Sequence, residues 1–179
     1  MIGDIFKGKF TFRTTDPNRR MIFMIVVALL PLLVFFFLRD WYTSLATDDD
    51  ILVEGLCFLG TAGLLYMADH LVPGKKTASN MRVRDALLVG TMQGIAPLPG
   101  LSRSGTTISA ALLLGCRREF AVRFSFLLSI PAVIGANILT LVDSIQVGID
   151  WKLMPAYLLG VVISAVAGYF AIRLVNMLA

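Results

Sequence analysis

A polar stretch at residues 99–107, with the sequence PGLSRSGTT, lies between two apolar segments and carries one arginine and four hydroxyl side chains. A helix that starts inside this stretch would present unpaired backbone N–H groups and about half a positive charge to a ligand. Arg103 adds a planar fork of donors that matches a phosphate group. The stretch therefore predicts an anion site. Its candidate residues are Gly100, Ser102, Arg103, Ser104, Gly105, Thr106 and Thr107.

The same residues fit a second interpretation, in which the stretch only turns the chain. Glycine lets backbone approach a ligand closely, but serine and threonine are also ordinary helix caps. In that case Arg103 would extend its guanidinium to water. Four hydroxyl groups and one arginine at residues 102–107 exceed what capping needs, so we favour the anion site.

Gln93 precedes the break in the chain by about two helical turns. Its amide either faces the same cavity as the polar stretch or makes a hydrogen bond between helices, and both alternatives stay open. The stretch is not a Walker A loop, because it has no GxxxxGK[ST] pattern. It also lacks the GxSxG pattern of a nucleophile elbow.

The composition indicates a membrane protein. Of 179 residues, 57% are hydrophobic and 16% are charged, and the mean hydropathy is +0.80. A soluble domain of this length needs more charge to cover its surface. The net charge of +4 is assigned to cytoplasmic loops, because no basic stripe carries the interleaved aromatic residues of a nucleic-acid surface.

Four apolar blocks are long enough to cross a bilayer as helices, at about 1.5 Å rise per residue. They predict an all-α membrane protein with about four transmembrane helices. No linker or repeat divides the chain, so we expect a single membrane domain over residues 1–179. The predicted spans are residues 21–38, 51–70, 120–142 and 153–179.

Two shorter apolar stretches, 85–95 and 104–115, flank the polar one. A dozen helical residues cover ~18 Å, little more than half of a hydrocarbon core of ~30 Å. Basic residues at both outer ends predict entry and exit on the cytoplasmic side. Residues 85–116 therefore predict a re-entrant helix–loop–helix pair with a polar tip. The basic residues are Arg82, Arg84, Arg117 and Arg118.

Four isolated residues favour structural interpretations. Glu54, near the start of the second predicted span, is expected at the interface with water, with a buried functional carboxylate as the less favoured alternative. His70 is expected to be solvated at a helix end. Cys57 and Cys116 are expected to be small buried hydrophobic residues, because no spacing typical of a zinc site or disulfide framework accompanies them.

The stretch QGIAPLPGLSRSGTTIS, from Gln93 to Ser109, resembles the second signature of the undecaprenyl-diphosphate phosphatases, the bacitracin-resistance membrane phosphatases. The PGxSRSxxT core of this signature is specific. The later stretch FSFLLSIP at residues 124–131 is also similar to that family. The resemblance covers essentially the whole chain.

The resemblance implies a multi-pass enzyme of the bacterial inner membrane. Such an enzyme hydrolyses undecaprenyl diphosphate to the monophosphate and so recycles the lipid carrier of cell-wall polymers. The family is built from two inverted repeats, each with a re-entrant pair, and a divalent cation, Mg or Ca, supports hydrolysis. By position, Arg103 would bind the diphosphate, Ser102 and Ser104 would act near the phosphoryl centre, Thr107 would assist, and Gln93 would line the pocket.

The family's ExxxE motif and its Ser-Ser-Thr-Gly-His segment do not occur in this chain. Those residues would supply acid/base groups and metal ligands, so the metal ligands are expected outside this chain. The polar opening and the lack of a usual final span are typical of a fragment, or a truncated reading frame, that holds the second repeat. We therefore expect weak or no phosphatase activity from this chain alone.

Two alternatives to a hydrolase remain. The first is a membrane protein that binds or translocates a polyprenyl phosphate without hydrolysis, since broken helices at the midplane are also typical of transporters. The second is a degenerate fragment that cannot hold a cavity. The expected partners are a polyprenyl diphosphate lipid and the membrane, with no nucleic acid, and a homodimer is left open.

Overall fold

The computed structural model describes residues 16–38, 41, 44, 51–70, 74–147 and 153–178 of the chain, and these residues form six helices with defined bounds. Four of the six are long and apolar enough to cross a membrane, which confirms the predicted all-α membrane class. The helices are α1 (Pro17–Phe36), α2 (Leu52–His70), α3 (Val83–Ile95), α4 (Arg103–Leu113), α5 (Arg118–Val147) and α6 (Met154–Leu178).

The chain divides into two units, residues 1–134 and residues 135–179. The described part of the first unit contains α1 to α4 and the beginning of α5. Within it, α1 packs on α3, α3 packs on α4, and α4 packs on α2. The second unit contains the remainder of α5 and α6. None of the residues in the most apolar part of α6 is buried within the chain. This is expected of a helix that faces lipid.

Two predicted helix boundaries are wrong by several residues. α1 begins at Pro17 rather than at residue 21, because the Asp16 carboxylate accepts a hydrogen bond of 3.0 Å from the N–H of Asn18, and proline suits the first helical position. α5 continues to Val147, five residues beyond the predicted end at residue 142. Residues 143–147 contain no glycine or proline, and the acidic Asp143 alone does not end a helix. Residues 148–150 lie outside the described part.

α3 and α4 are the two half-length helices predicted on either side of the polar stretch. They contain 13 and 11 residues, or about 20 and 16 Å of helix, so neither crosses a bilayer by itself. α4 ends at Leu113 and is followed by Gly115, whose φ of +84° lies in the left-handed region. The Gly115 N–H donates to the Leu112 carbonyl (2.8 Å), and the Cys116 N–H donates to the Ala111 carbonyl (3.0 Å), which completes a Schellman motif.

The two outer ends of the α3–α4 pair are tied together by a parallel bridge between Lys76 and Cys116. The Lys76 N–H donates to the Gly115 carbonyl (3.0 Å), and the Arg117 N–H donates to the Lys76 carbonyl (2.9 Å). The chain therefore enters α3 and leaves α4 at one end of the unit. A re-entrant pair requires this geometry.

Basic side chains join the elements at that same end, which we call the basic end. The Arg20 guanidinium donates to the Met81 carbonyl (3.0 Å), and Arg118 pairs with Asp69 in the last turn of α2 (3.0 Å). These contacts bring the start of α1, the end of α2 and the start of α5 to the entrance of the α3–α4 pair. The prediction that Lys and Arg mark the cytoplasmic side assigns this end to the cytoplasm.

Asp85 is the buried acid of the basic end, with 1% of its surface exposed. Its Oδ2 accepts hydrogen bonds from Lys76 Nζ (2.9 Å) and from the Arg82 N–H (3.0 Å). Burial raises the pKa of Asp85, but these hydrogen bonds and the charges of Lys76 and Arg84 outweigh it, so the pKa lies below its ordinary value. Asp85 therefore stays ionised and holds the start of α3 against the loop before it.

The α1–α3 crossing depends on the absence of a side chain at one position. A Cβ at Gly90 would overlap the backbone carbonyl of Ala28, so the two helices approach to backbone contact. Small residues at helix crossings allow such approach in membrane proteins, where packing rather than water exclusion holds helices together. Buried residues of both helices surround the contact, among them Met24, Val27 and Val89.

We predict that Gly90→Ala lowers the unfolding free energy by about 1–3 kcal/mol, because the new methyl group forces the helices apart. Thermal unfolding of the detergent-solubilised chain measures the effect. Gly60→Ala is the matched control, since a Cβ at Gly60 meets no atom within 4 Å. Equal stability of the two variants would contradict the close crossing.

We also predict an acid limb of stability that depends on Asp85. Because its folded-state pKa is lowered from 3.8, its contribution is present above that value and is lost as the pH falls through the lower folded value. Asp85→Asn should remove this dependence and destabilise the chain at neutral pH by about 1.5–3 kcal/mol. The unfolding free energy measured at a series of pH values tests this prediction. The control is Asp69→Asn, because Asp69 belongs to an exposed ion pair with Arg118 that should contribute little to stability. An unchanged acid limb in Asp85→Asn would refute the prediction.

Candidate functional site

The polar stretch forms part of the wall of a cavity of about 590 Å³ in the first unit. The end of α3, the turn after it, the start of α4 and one face of α5 build this wall. The volume falls within the ~300–1,000 Å³ that is usual for small-molecule sites. Six polar side chains line the cavity: Gln93, Arg103, Ser104, Thr107, Ser125 and Ser129.

A tight turn separates α3 from α4. The Leu98 N–H donates to the Ile95 carbonyl (3.0 Å), and the Leu101 N–H donates to the Leu98 carbonyl (3.1 Å). Gly100 has a φ of +86°, and a Cβ there would lie 2.5 Å from the carbonyl oxygen of Glu54 on α2. Only glycine meets both conditions, so Gly100 lets the tip of the pair rest directly on the first turn of α2.

Ser102 is the N-cap of α4. Its hydroxyl accepts a hydrogen bond from the Gly105 N–H (3.2 Å), and its carbonyl accepts one from the Thr106 N–H (2.8 Å). The N–H of Ser102 donates to Thr61 Oγ1 on α2 (3.3 Å). The hydroxyl oxygen, the N–H and the carbonyl of Ser102 are therefore engaged with the first turn of α4 or with α2, and Ser102 is absent from the described lining of the cavity.

Two backbone donors at the start of α4 are left over. Among the described residues, the N–H groups of Arg103 and Ser104 have no hydrogen-bond acceptor, and the Arg103 guanidinium has no ion pair. Both residues line the cavity, and the described part of its wall contains no carboxylate. The described wall is thus a set of donors with one fixed positive charge at a helix N-terminus, an arrangement suited to an anion.

Gln93 contributes a buried amide to the same cavity. The residue is 2% exposed, and neither its Nε2 nor its Oε1 has a hydrogen-bond partner in the described part of the chain. Leaving a buried amide unpaired costs about 1–3 kcal/mol, so a ligand that supplies a partner would recover this energy. The structure therefore favours the cavity-facing alternative for Gln93 over a hydrogen bond between helices.

Thr107 connects the start of α4 to α5. Its Oγ1 lies 2.9 Å from the Arg103 carbonyl oxygen and also forms a buried hydrogen bond with Ser125 Oγ. Ser129, one turn further along α5, donates to the Phe126 carbonyl (2.7 Å). The cavity therefore has a hydroxyl-bearing wall on α5 that faces the start of α4.

The predicted site residues divide into two groups. Gln93, Gly100, Arg103, Ser104 and Thr107 line the cavity. The second group, Ser102, Gly105 and Thr106, belongs to the first turn of α4 but does not line it. Thr106 is 1% exposed, and its Oγ1 has no partner within the described chain.

Glu54 also lies outside the cavity wall. It is half-buried in the first turn of α2, and its Oε2 has no hydrogen-bond partner among the residues that the structure describes. The expectation of a solvated carboxylate at the interface does not hold for this oxygen.

Sequence reasoning missed Ser125 and Ser129 as lining residues. They lie within the stretch FSFLLSIP, and their spacing of four residues puts both hydroxyl groups on one face of α5. That spacing is the available signal. It does not say which neighbour the face meets, because that depends on how α5 packs against α4.

The described cavity wall does not fit a divalent cation. Mg²⁺ and Ca²⁺ prefer carboxylate and carbonyl oxygens, whereas this wall carries hydroxyl groups, one amide and a guanidinium. No group of three or more His, Cys, Asp or Glu side chains capable of holding a metal occurs in the described residues. The positive charge of Arg103 also opposes a cation at this place.

The fold and the cavity together define a multi-pass helical membrane protein with a broken helical pair, whose cavity is lined by hydrogen-bond donors and one arginine. The chain belongs to the family described as bacitracin resistance protein BacA, whose model matches residues 1–179.

Relatives named undecaprenyl-diphosphatase are similar over most of the chain. One from Alkaliphilus metalliredigens is 37% identical over 174 residues, which are 97% of this chain and 62% of the relative. One from Alcanivorax borkumensis is 39% identical over 89% of this chain and 60% of the relative, and one from Methanosphaera stadtmanae is 37% identical over 96% and 59%. The chain thus spans about three-fifths of the length of these relatives.

The N-cap geometry of Ser102 generates a prediction. Ser102→Ala should lower stability by about 1 kcal/mol, and Ser102→Asn should restore it, because asparagine caps a helix equally well. Pyrophosphate affinity should follow the cap and recover in Ser102→Asn. Thermal unfolding and titration calorimetry of the three proteins measure both quantities. A stable Ser102→Asn variant that no longer binds pyrophosphate would mean that the hydroxyl contacts the ligand itself.

Proposed function

We propose that this chain binds the diphosphate group of undecaprenyl diphosphate and serves its hydrolysis to undecaprenyl phosphate and inorganic phosphate. The observation that carries the proposal is the start of α4, where the Arg103 guanidinium and the free N–H groups of Arg103 and Ser104 belong to one cavity. The names of the relatives support the substrate and the reaction.

The chemistry of these groups suits a phosphoryl centre. When the terminal phosphorus–oxygen bond breaks, negative charge moves onto the bridging oxygen and the phosphoryl oxygens. Arg103 and the helix N-terminus would stabilise that charge, and their donors are already in place before the reaction. The Gln93 amide would donate to a phosphate oxygen through Nε2 and so gain the partner that it lacks.

Attack by water needs a general base or an activated water, and the described cavity wall contains no carboxylate or imidazole. We therefore propose that the activating groups lie outside this wall, together with the ligands of the divalent cation, Mg or Ca, that the family resemblance implies. On this view the chain alone binds the diphosphate but hydrolyses it weakly or not at all.

The position of the Gly100 turn along α2 supports one side of the membrane as the place where the diphosphate binds. The Gly100 turn contacts Glu54 in the first turn of α2, whereas Asp69 in the last turn pairs with Arg118 at the basic end. The helix from residue 54 to residue 69 covers about 22 Å, most of a hydrocarbon core of ~30 Å. Since basic ends face the cytoplasm, we propose that the diphosphate is bound toward the opposite side of the bacterial inner membrane.

A second candidate function is binding or translocation of a polyprenyl phosphate without hydrolysis. The same wall favours it, because a cavity of neutral donors and one arginine is complete as a binding site. The two functions differ in one product: only the phosphatase releases inorganic phosphate from bound diphosphate. A homodimer is compatible with both.

We predict that Arg103→Ala weakens binding of inorganic pyrophosphate and of a short-chain polyprenyl diphosphate by about tenfold to a hundredfold. A hydrogen bond to a charged group contributes about 1.5–3 kcal/mol, which gives this range. Arg103→Lys should recover only part of the loss, because lysine lacks the planar donor fork. Titration calorimetry in detergent measures the affinities, and phosphate release is followed with and without divalent cation.

Arg117→Ala is the matched control, since Arg117 lies at the basic end and pairs with the exposed Glu119. Its affinity should equal that of the unmodified chain. Unchanged pyrophosphate affinity in Arg103→Ala would refute the proposed site. Cation-dependent phosphate release at rates typical of the family, abolished by Arg103→Ala, would instead mean that this chain is catalytically sufficient.

A further inference from the structure

The hydroxyl pair Thr107–Ser125 forms a buried contact between α4 and α5 at the cavity wall. Thr107 is 0% exposed and Ser125 is 3% exposed, yet both line the cavity. Ser125 stands 18 residues beyond Thr107, on the helix that follows α4. No motif in the polar stretch includes it, so its presence in the wall is a consequence of packing.

The protons of this pair are limited in number. Each hydroxyl has one proton, but Thr107 Oγ1 is within hydrogen-bond distance of the Arg103 carbonyl (2.9 Å), the Ser104 carbonyl (3.3 Å) and Ser125 Oγ. If Thr107 donates to a backbone carbonyl, Ser125 must donate to Thr107. In that arrangement Ser125 offers only lone pairs to the cavity.

The opposite arrangement suits an anion. If Thr107 rotates its O–H toward Ser125, the proton of Ser125 is free to point into the cavity and donate to a phosphate oxygen. Both arrangements use the same heavy-atom positions and differ only in the rotation of two O–H bonds. No proton passes from one oxygen to another.

We propose that Ser125 contacts the bound phosphate and that Thr107 is a positioning residue, which directs the Ser125 proton toward the ligand. The inference rests on the proposed diphosphate binding and adds a contact from α5 to it. Occupation of the cavity turns both hydroxyl groups: Thr107 releases the backbone carbonyl and donates to Ser125, while Ser125 donates to the phosphate.

Ser129 differs from Ser125 although it lines the same cavity. Its proton is held by the Phe126 carbonyl at 2.7 Å, and the structure gives it no second hydroxyl partner among the described residues. The proposal therefore applies to Ser125, which is paired with Thr107, and not to every serine that lines the cavity.

The test is a double-mutant cycle on the full chain in detergent, with titration of inorganic pyrophosphate. Ser125→Ala should weaken binding by about tenfold, the loss of one hydrogen bond to a charged ligand. Thr107→Val should weaken it by a smaller factor, because Ser125 keeps its proton but loses the donor that fixes its direction. The double variant should bind like Ser125→Ala alone, because Thr107 acts through Ser125. Thr107→Ser should bind like the unmodified chain, since it keeps the hydroxyl.

Two controls separate binding from folding. Ser144→Ala removes an exposed hydroxyl of α5 that donates to the Thr140 carbonyl, and it should leave the affinity unchanged. Thermal unfolding without ligand should not rank the variants as the affinities do. If Ser125→Ala does not fold, Ser125→Cys takes its place, because a thiol of similar size is a weak donor and should show a comparable loss.

Several outcomes overturn the inference. They are full affinity in Ser125→Ala, additive losses in the double variant, or a Thr107→Ser variant as weak as Thr107→Val. If any of these occurs while Arg103→Ala still loses affinity, the proposed function stands and only the α5 contact fails. If the unmodified chain does not bind pyrophosphate, or Arg103→Ala binds it fully, the proposed function fails as well.

Discussion

The need to satisfy every backbone polar group away from water governs the first unit. A helix that breaks inside an apolar layer exposes N–H and C=O groups that lipid cannot bind. Here the N–H groups of Leu98 and Leu101 donate to carbonyl groups within the turn. The Ser102 hydroxyl caps α4, and Thr61 Oγ1 on α2 accepts a hydrogen bond from the Ser102 N–H. The donors that remain, on Arg103 and Ser104, face the cavity. The proposed anion site is therefore the part of the helix break whose N–H groups have no acceptor among the described residues.

Two glycines allow the close contacts on which these hydrogen bonds depend. Gly100 lets the turn rest on α2, so that Thr61 comes within reach of Ser102, and Gly90 lets α3 approach the backbone of α1. The pair is therefore held on both sides, by α1 through close backbone packing and by α2 through the Gly100 contact and the Thr61 hydrogen bond. At its base, the buried Asp85 is stabilised by Lys76 and the Arg82 amide. Among the described residues the Arg103 guanidinium at the tip has no ion pair, whereas Lys76 at the base is paired with Asp85.

The sequence predicted the architecture of this region better than its chemistry. Half-length apolar stretches around a Pro-Gly break can form only short helices, and the basic residues at both outer ends predict that the chain enters and leaves at one end. The sequence does not show which hydroxyl groups line the cavity, because that depends on where each side chain points. Ser102 caps its own helix, and Thr106 is buried but does not belong to the cavity wall. Ser125 comes from a later helix whose register on α4 no local pattern reveals. Asp85 lies in an apolar stretch of the sequence, yet it forms an ion pair, because the loop before α3 brings Lys76 next to it.

The bridge between Lys76 and Cys116 closes the α3–α4 pair into a loop whose two ends stay together. Neither helix is long enough to be stopped in the bilayer as a span, and both carry buried polar side chains, so the pair has no stable membrane position of its own. α1 and α2 supply the surfaces that it needs. The closed loop therefore depends on its contacts with α1 and α2, and it can be held in place only as one piece with both of these helices present.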